Sequence, residues 1–348
     1  MGRTGPGRAI AIVVSLLVTA VVSLLLWKWF NDAAFLGANS MSTFEPASEN
    51  AQKVHDLYVL IFWLAGGVFV GVMALTLALA LMFREQPGVQ ALQTHGNSRL
   101  EVLWSVIPVL IVMVMAVPTF RAIVDIEADA PEGALEVLAV GHQWWFEFHY
   151  PELGITTANE LHVPVGRAVN VRLQSADVIH SFWVPRLMGK EDMMPGHENR
   201  LWFTPNETGE FIGQCAEFCG LSHANMRFRV FVETEQDFDA WTEAQLAPAA
   251  TPVEGDPAFE GMQQFTMSGC IGCHTVTGND LAVGLVGPNL THFGSRTTLA
   301  SATRDNTPED LADWLHDPPG VKPGSLMPNL NLTDEQVQKL SAYLMSLQ

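Results

Sequence analysis

The hydrophobic pattern changes twice along this chain. It opens with three apolar runs that hold no charge, at residues 9–27, 57–83 and 102–120. The first follows Arg3 and Arg8. Residues 1–30 are therefore a secretory signal or an extra membrane helix. A signal's apolar core usually spans about 7–15 residues and ends at a small-residue cleavage site, which favours the helix without closing the question. The other two runs are each long enough to cross a bilayer, which takes about 20 apolar residues, and predict a helical hairpin over 55–122. Gly66, Gly67 and Gly71 permit close helix packing in the first of them. Pro108 and Pro118 in the second are tolerated where neighbours re-satisfy the freed carbonyls. The connecting loop carries Arg84 and Arg99, whereas residues 31–56 are acidic. The positive-inside bias puts that loop in the cytoplasm and everything after Arg121 outside.

From residue 135 to 233 the pattern breaks into short β-rich runs, at 135–140, 144–149, 168–173, 200–203 and 228–232. Gly, Pro and Asn separate them, as in an all-β sandwich or barrel, expected over 133–240. An Ala/Pro-rich stretch at 245–255 reads as a linker. Helical signals follow over 256–348. Asp256 and Pro257 open one helix, Thr307 and Pro308 a second with Leu311, Trp314 and Leu315 at helical spacing, and Thr333 with Gln336 makes a capping box.

Charge sharpens this division. Up to Phe120 there are 6 Lys/Arg and 6 Asp/Glu; beyond it there are 12 against 31, so the net charge of −19 lies wholly in the outer part. An acidic surface steers basic electron-donor proteins, or serves solubility alone. The absence of a basic patch excludes nucleic acid as a partner.

The chemistry sits in the four cysteines, which fall in two pairs with none left over. In the stretch from Gly213 to Met226, Cys215 and Cys219 are followed by His223 and Met226. Thiolate, imidazole and thioether are donors that suit copper, and two thiolates on one loop can bridge two ions. His180 is the best upstream candidate for a second imidazole. The plain alternatives are a Cys215–Cys219 disulfide, which leaves the other donors coincidental, and a zinc knuckle, which leaves Met226 without a role. The second pair forms Cys270-Ile271-Gly272-Cys273-His274, the attachment signature of c-type haem. A thioredoxin-like pair or half a zinc site are the rivals, and neither suits the surroundings. Met327 is the candidate sixth iron ligand, since methionine with histidine raises the haem potential. His292 and His316 are weaker candidates. Met262 and Met267 read as packing.

The copper loop resembles the dinuclear copper A centre of subunit II of haem-copper cytochrome c oxidases, and the likeness covers about residues 55–235. The haem motif and Gly287-Pro288-Asn289-Leu290 resemble class I cytochromes c. Together they resemble subunit II of a caa3-type oxidase. The resemblance implies a multi-domain chain: a transmembrane helical hairpin, an all-β cupredoxin-like Greek-key sandwich and an all-α class I cytochrome c domain. It implies His180, Cys215, Cys219, His223 and Met226 as copper ligands, with Glu217 ligating through its carbonyl and offering its carboxylate to magnesium or manganese. It makes Trp144, in the aromatic stretch from Gly141 to Tyr150, the electron conduit to copper, with Trp145 its close neighbour. It makes Glu101, in a Glu-x-x-Trp-x-x-x-Pro pattern, the entrance of a proton path, though such a carboxylate also simply snorkels. The segment 186–196 resembles the contact with subunit I, with Met188 where many members have glycine.

The function expected is electron transfer from haem c through copper A to subunit I, for oxygen reduction coupled to proton pumping. Subunits I and III, a cytochrome c-type or other donor and membrane lipid are the expected partners, in a bacterial plasma membrane with both cofactor domains outside. A nitrous oxide reductase relative needs a large histidine-rich propeller that this chain lacks. A membrane-tethered copper-delivery protein accounts for neither Glu101 nor the haem motif. A quinol oxidase subunit would lack the copper ligands.

Overall fold

A computed structural model describes residues 13–15, 17–25, 41–83, 88, 90 and 95–348. It divides into two compact units: Met1–Ala38 with Lys53–Glu127, and Asn39–Gln52 with Ala128–Gln348.

The first unit is built on α1 (Glu49–Met82) and α2 (Ser98–Ile126), both long and apolar enough to cross a membrane. Large side chains such as Trp63, Phe69, Trp104 and Met113 point outward all round them, the arrangement of helices surrounded by lipid rather than by a protein core. The first extends past its apolar run at its N-terminal end and the second at both ends. Asn97 caps α2, its Oδ1 accepting from the N–H groups of Arg99 and Leu100 at 3.1 and 3.3 Å. The Glu101 carboxylate reaches back to accept from the Asn97 N–H at 3.1 Å. Of the first apolar run, the described residues 13–15 and 17–25 are helical. Ser15 donates to the Ala74 carbonyl of α1 at 3.2 Å. Arg3, Arg8, Trp27 and Arg84 lie outside the described residues.

The second unit holds two five-stranded sheets, ordered β3-β2-β1-β5-β8 and β4-β10-β9-β6-β7. The strands are β1 (Leu135–His142), β2 (Trp145–Tyr150), β3 (Ile155–Ala158), β4 (Glu160–Pro164), β5 (Val169–Ser175), β6 (His180–Trp183), β7 (Glu191–Met193), β8 (Asn199–Phe203), β9 (Gly209–Cys215) and β10 (Arg227–Glu233). Neighbours run antiparallel except β1 with β5 and β4 with β10, so the expected Greek-key sandwich is present. Strict alternation of buried and half-buried positions in β1, β2 and β10 sends one face of each strand into a shared core. Phe146, Phe148, Phe182 and Phe228 meet at its centre and are fully buried, with Phe228 4.7 Å from both Phe146 and Phe182 between ring centroids. Each such ring contributes about 1.5–3 kcal/mol through burial. Gly213 lies beneath them; a Cβ there would fall 2.2 Å from the Phe228 ring.

Beyond the sandwich, α3 (Glu235–Leu246) sets Trp241 against Tyr150 and His162. The Ala/Pro-rich stretch is held at Ala249, which is buried and donates to the Thr277 carbonyl at 2.9 Å. The helical domain contains α4 (Pro257–Met267), α5 (Pro308–His316), α6 (Pro318–Val321) and α7 (Asp334–Ser346). Asp256, Thr307 and Thr333 cap α4, α5 and α7 as their side chains dictate. Helices α4 and α7 cross at Gly261, where a Cβ would lie 2.1 Å from the Lys339 carbonyl.

Replacing Gly213 by alanine should overpack the aromatic centre and cost about 1–3 kcal/mol. The thermal midpoint of the sandwich in the detergent-solubilised chain measures this, and an unchanged midpoint would contradict the packing described.

Candidate metal and cofactor sites

The copper candidates converge at one end of the sandwich. His180 begins β6, Cys215 ends β9, and these strands pair with Phe182 opposite Cys215. The loop that follows is closed by the Cys215 N–H on the Met226 carbonyl at 2.9 Å and by the Ala216 N–H on the Ser181 carbonyl at 3.1 Å. Cys215 Sγ then lies 3.9 Å from His180 Nδ1 and 3.7 Å from Cys219 Sγ. Cys219 Sγ lies 3.6 Å from His223 Nδ1 and 3.8 Å from Met226 Sδ. The Glu217 carbonyl approaches Cys215 Sγ at 3.1 Å, and its carboxylate is exposed.

The alternatives fail on this geometry. Both cysteines are free, and sulfurs 3.7 Å apart are not a disulfide, whose S–S bond is about 2.05 Å. A thioether inside the donor set argues against zinc. His180, Cys215 and Cys219 offer ligand atoms within 4.8 Å of one another. Two sulfurs, each flanked by one imidazole, with a thioether beside Cys219, fit a pair of soft metal ions with shared thiolates.

The surroundings orient these donors. His180 Nε2 sits 2.8 Å from Asp177 Oδ1. A carboxylate only accepts, so Nε2 carries the proton and Nδ1 is left for metal. Gly141 makes room: a Cβ there would lie 2.7 Å from the imidazole ring. The hydrogen bond from Cys219 outweighs burial and, with those from His180 and the backbone, holds the Cys215 thiol down to about 4. The same contact, reinforced by burial, pushes Cys219 up. Burial works against a charged His180, yet its hydrogen bonds to Cys215 and Asp177 prevail and raise it. Asp177 was not singled out from the sequence, although a carboxylate three residues before a candidate ligand is a readable sign.

In the helical domain, Cys270, Cys273, His274 and Met327 line one cavity. His274 Nδ1 donates to the Pro288 carbonyl at 2.8 Å, which leaves Nε2 free to face a metal. Gly287 is close beneath it, where a Cβ would lie 2.5 Å from the imidazole. Burial lowers the pKa of His274 and so favours the neutral, ligating form. The rival ligands are elsewhere: His292 Nε2 is engaged by the Gln245 carbonyl at 3.1 Å and His316 pairs with Asp334. Met262 packs against the core as expected, whereas Met267, expected to pack, is exposed because it ends its helix. None of the four lines the cavity. Its apolar walls include Phe265, Leu299, Trp314 and Leu340, as a porphyrin face requires.

Trp144 stands where the two domains meet. Its indole Nε1 donates to the Cys219 carbonyl at 3.0 Å, and the Gln143 side chain donates to the same oxygen at 2.7 Å. Its own carbonyl accepts from Ser301 Oγ at 2.7 Å and Lys322 Nζ at 2.5 Å, both from the helical domain. Gly324 is flush with the ring: a Cβ there would lie 2.8 Å from Trp144 Cη2. Trp145 instead stacks on His142 at 4.3 Å. Trp144 and Trp145 also line the cavity. A second tie is Glu160 of β4, whose buried Oε1 accepts from the Thr297 N–H and Oγ1 and from the Thr298 N–H at 2.7–3.1 Å. Ser222 of the copper loop donates to the Pro323 carbonyl. Lys322, Ser301 and Glu160 carry no motif, and sequence reasoning passed over them. In the segment 186–196, Met188 is buried and closes a turn on the Val184 carbonyl at 3.0 Å.

Comparison with known proteins agrees with this arrangement. The model of the transmembrane domain of cytochrome c oxidase subunit II matches residues 33–122, that of its periplasmic domain residues 154–233, and that of cytochrome c residues 258–348. Cytochrome c oxidase subunit 2 of Alkalihalophilus pseudofirmus is 36% identical over 320 residues, 90% of this chain and 92% of the relative. The chain belongs to the cytochrome c oxidase subunit II family. The Bacillus subtilis cytochrome c oxidase subunit 2 is 34% identical over 95% of this chain and 97% of its own length. A quinol oxidase subunit 2 from the same species is 33% identical over 67% of this chain and 76% of its own. As a family member the chain is an electron-transfer component of an oxidoreductase, membrane-anchored with an extracytoplasmic part. Its periplasmic domain implies copper A and its cytochrome c domain implies haem.

Asp177→Asn should weaken copper retention about 10–100-fold, the usual effect of losing a carboxylate that orients a ligating histidine. Competition with a chelator measures it, and retention equal to the parent would show that Asp177 does not orient His180.

Proposed function

We propose that the chain is subunit II of a caa3-type cytochrome c oxidase. It accepts electrons through a covalently bound haem c and passes them by way of dinuclear copper A to subunit I, where oxygen is reduced to water with proton pumping. The observation that carries this reading is the contact of both cofactor seats with Trp144. Cys270 and Cys273 would attach the haem, and His274 Nε2 and Met327 would ligate its iron, within a cavity with largely apolar walls. His180, Cys215, Cys219, His223 and Met226 hold copper with their side chains, and Glu217 does so with its carbonyl. When bound, both groups would supply one-electron redox chemistry. The sandwich contributes ligands held by paired strands, so little protein has to move when an electron arrives. Trp144 provides the conduit, and its indole hydrogen bond fixes it to the backbone of Cys219.

Further roles complete the reading. The exposed Glu217 carboxylate binds magnesium or manganese shared with subunit I. Glu101, at the first turn of α2, opens a proton path. The acidic outer part steers a cytochrome c-type or other donor. Subunits I and III complete the complex in a bacterial plasma membrane, with both cofactor domains on the extracytoplasmic side. The second reading, a copper-delivery or other copper A protein, is disfavoured by burial. A carrier must surrender its metal, yet His180, Cys215, Cys219 and Met226 are all under 5% exposed. A quinol oxidase subunit is disfavoured by the complete copper donor set.

Cys219→Ser should remove the mixed-valence copper signal, with the haem spectrum retained and turnover from a cytochrome donor stopped; a surviving copper signal refutes the assignment. Met327→Ala should lower the haem potential, as loss of a thioether ligand does. An unaltered potential and spectrum would place the sixth ligand elsewhere.

A further inference from the structure

Lys322 follows α6, on the loop that leads to Met327, and it is only 4% exposed. Its ammonium has three protons to donate. Two acceptors are visible, the Trp144 carbonyl at 2.5 Å and the Ala300 carbonyl at 3.3 Å. Both are neutral. Among the described residues no carboxylate forms an ion pair with it. Burial pulls Lys322 down to about 7.

A buried ammonium without an anion is costly, and such groups are paired or neutralised. Yet the surroundings are built to hold this one. Ala300, Ser301 and Ala302 all adopt left-handed backbone, with φ of 52°, 62° and 54°, a conformation that costs non-glycine residues about 1–2 kcal/mol each. That turn carries both the Ala300 carbonyl facing Lys322 and the Ser301 hydroxyl on the Trp144 carbonyl. Lys322 also lines the cavity that contains Cys270, Cys273 and His274. A haem placed there brings two propionate carboxylates, anions that themselves need a cation when shielded from water.

We propose that Lys322 is a positioning residue for electron transfer: it binds a propionate of the haem seated in this cavity while donating to the Trp144 carbonyl, and so sets the haem edge against the tryptophan. The inference rests on the haem c reading given above. It adds a link that the ligands alone do not make, since it ties the haem directly to the copper-bearing domain. Ser301 shares the same carbonyl but has no charge, so it serves as the internal control.

The test uses the full chain loaded with haem and copper, and compares Lys322→Met, Lys322→Arg and Ser301→Ala with the parent. Covalent haem is measured separately on denatured protein. Its absence from the parent would overturn the haem reading itself and this inference with it. With haem attached, Lys322→Met should lower the haem potential, because a nearby positive charge that favours the reduced form is gone. It should also slow haem-to-copper transfer about tenfold or more, a modest loss for a misplaced reacting group. Lys322→Arg should restore both, and Ser301→Ala should leave the potential where it was. If the methionine variant loses its haem while the arginine variant keeps it, the need for charge at this position is upheld. Parental potential and rate in Lys322→Met, no rescue by arginine, loss of haem from both variants, or an equal fall of potential in Ser301→Ala would each overturn the proposal.

Discussion

The arrangement depends on how Trp144 is held. Its indole is bonded to the backbone of Cys219, and its carbonyl receives Lys322 and Ser301 from a domain more than 150 residues further along the chain. Neither interaction is strong alone, since a typical hydrogen bond nets about 0.5–1.5 kcal/mol. Their value is geometric. They leave the ring between the copper loop and the Gly324 backbone. Glu160 supports this contact from the other side of the seam, where its buried carboxylate would be destabilising without the Thr297 and Thr298 donors.

The copper seat follows the same logic on a smaller scale. Its candidate donors lie on two neighbouring strands and one short loop, and hydrogen bonds hold several of them in place. Cys215 is tied to Met226, and His180 to Asp177. Glycines at 141 and 213 allow the close approaches, beneath the imidazole and beneath the aromatic centre. A rigid, buried set of soft donors suits repeated one-electron exchange better than metal delivery.

Much of this was legible in the sequence, and for identifiable reasons. The hairpin announced itself by uncharged length. The helices capped by Asp256, Thr307 and Thr333 were visible because capping is local chemistry. The contiguous Cys270–His274 motif and Met327, both readable as candidate haem contacts, line the same cavity. Several elements were not legible. Strands β6 and β9 carry His180 and Cys215; β6 is buried at three successive residues, and the buried face of β9 includes Gly213 and Cys215, so neither shows alternating hydropathy. Helix α3 is mostly polar, and its value comes from Trp241 packing on Tyr150. Lys322, Ser301 and Glu160 act across 137–178 residues of sequence. No local pattern encodes such a pairing, so an isolated lysine after a short helix reads as surface.

The central claim is that the two cofactor seats form one path within a single chain. Rapid photoreduction of the haem in the solubilised, fully loaded chain, followed by its reoxidation as copper is reduced, tests this most directly. The account predicts a first-order rate that does not change with protein concentration. A rate that rises in proportion to concentration, or no transfer between the two centres, would contradict it.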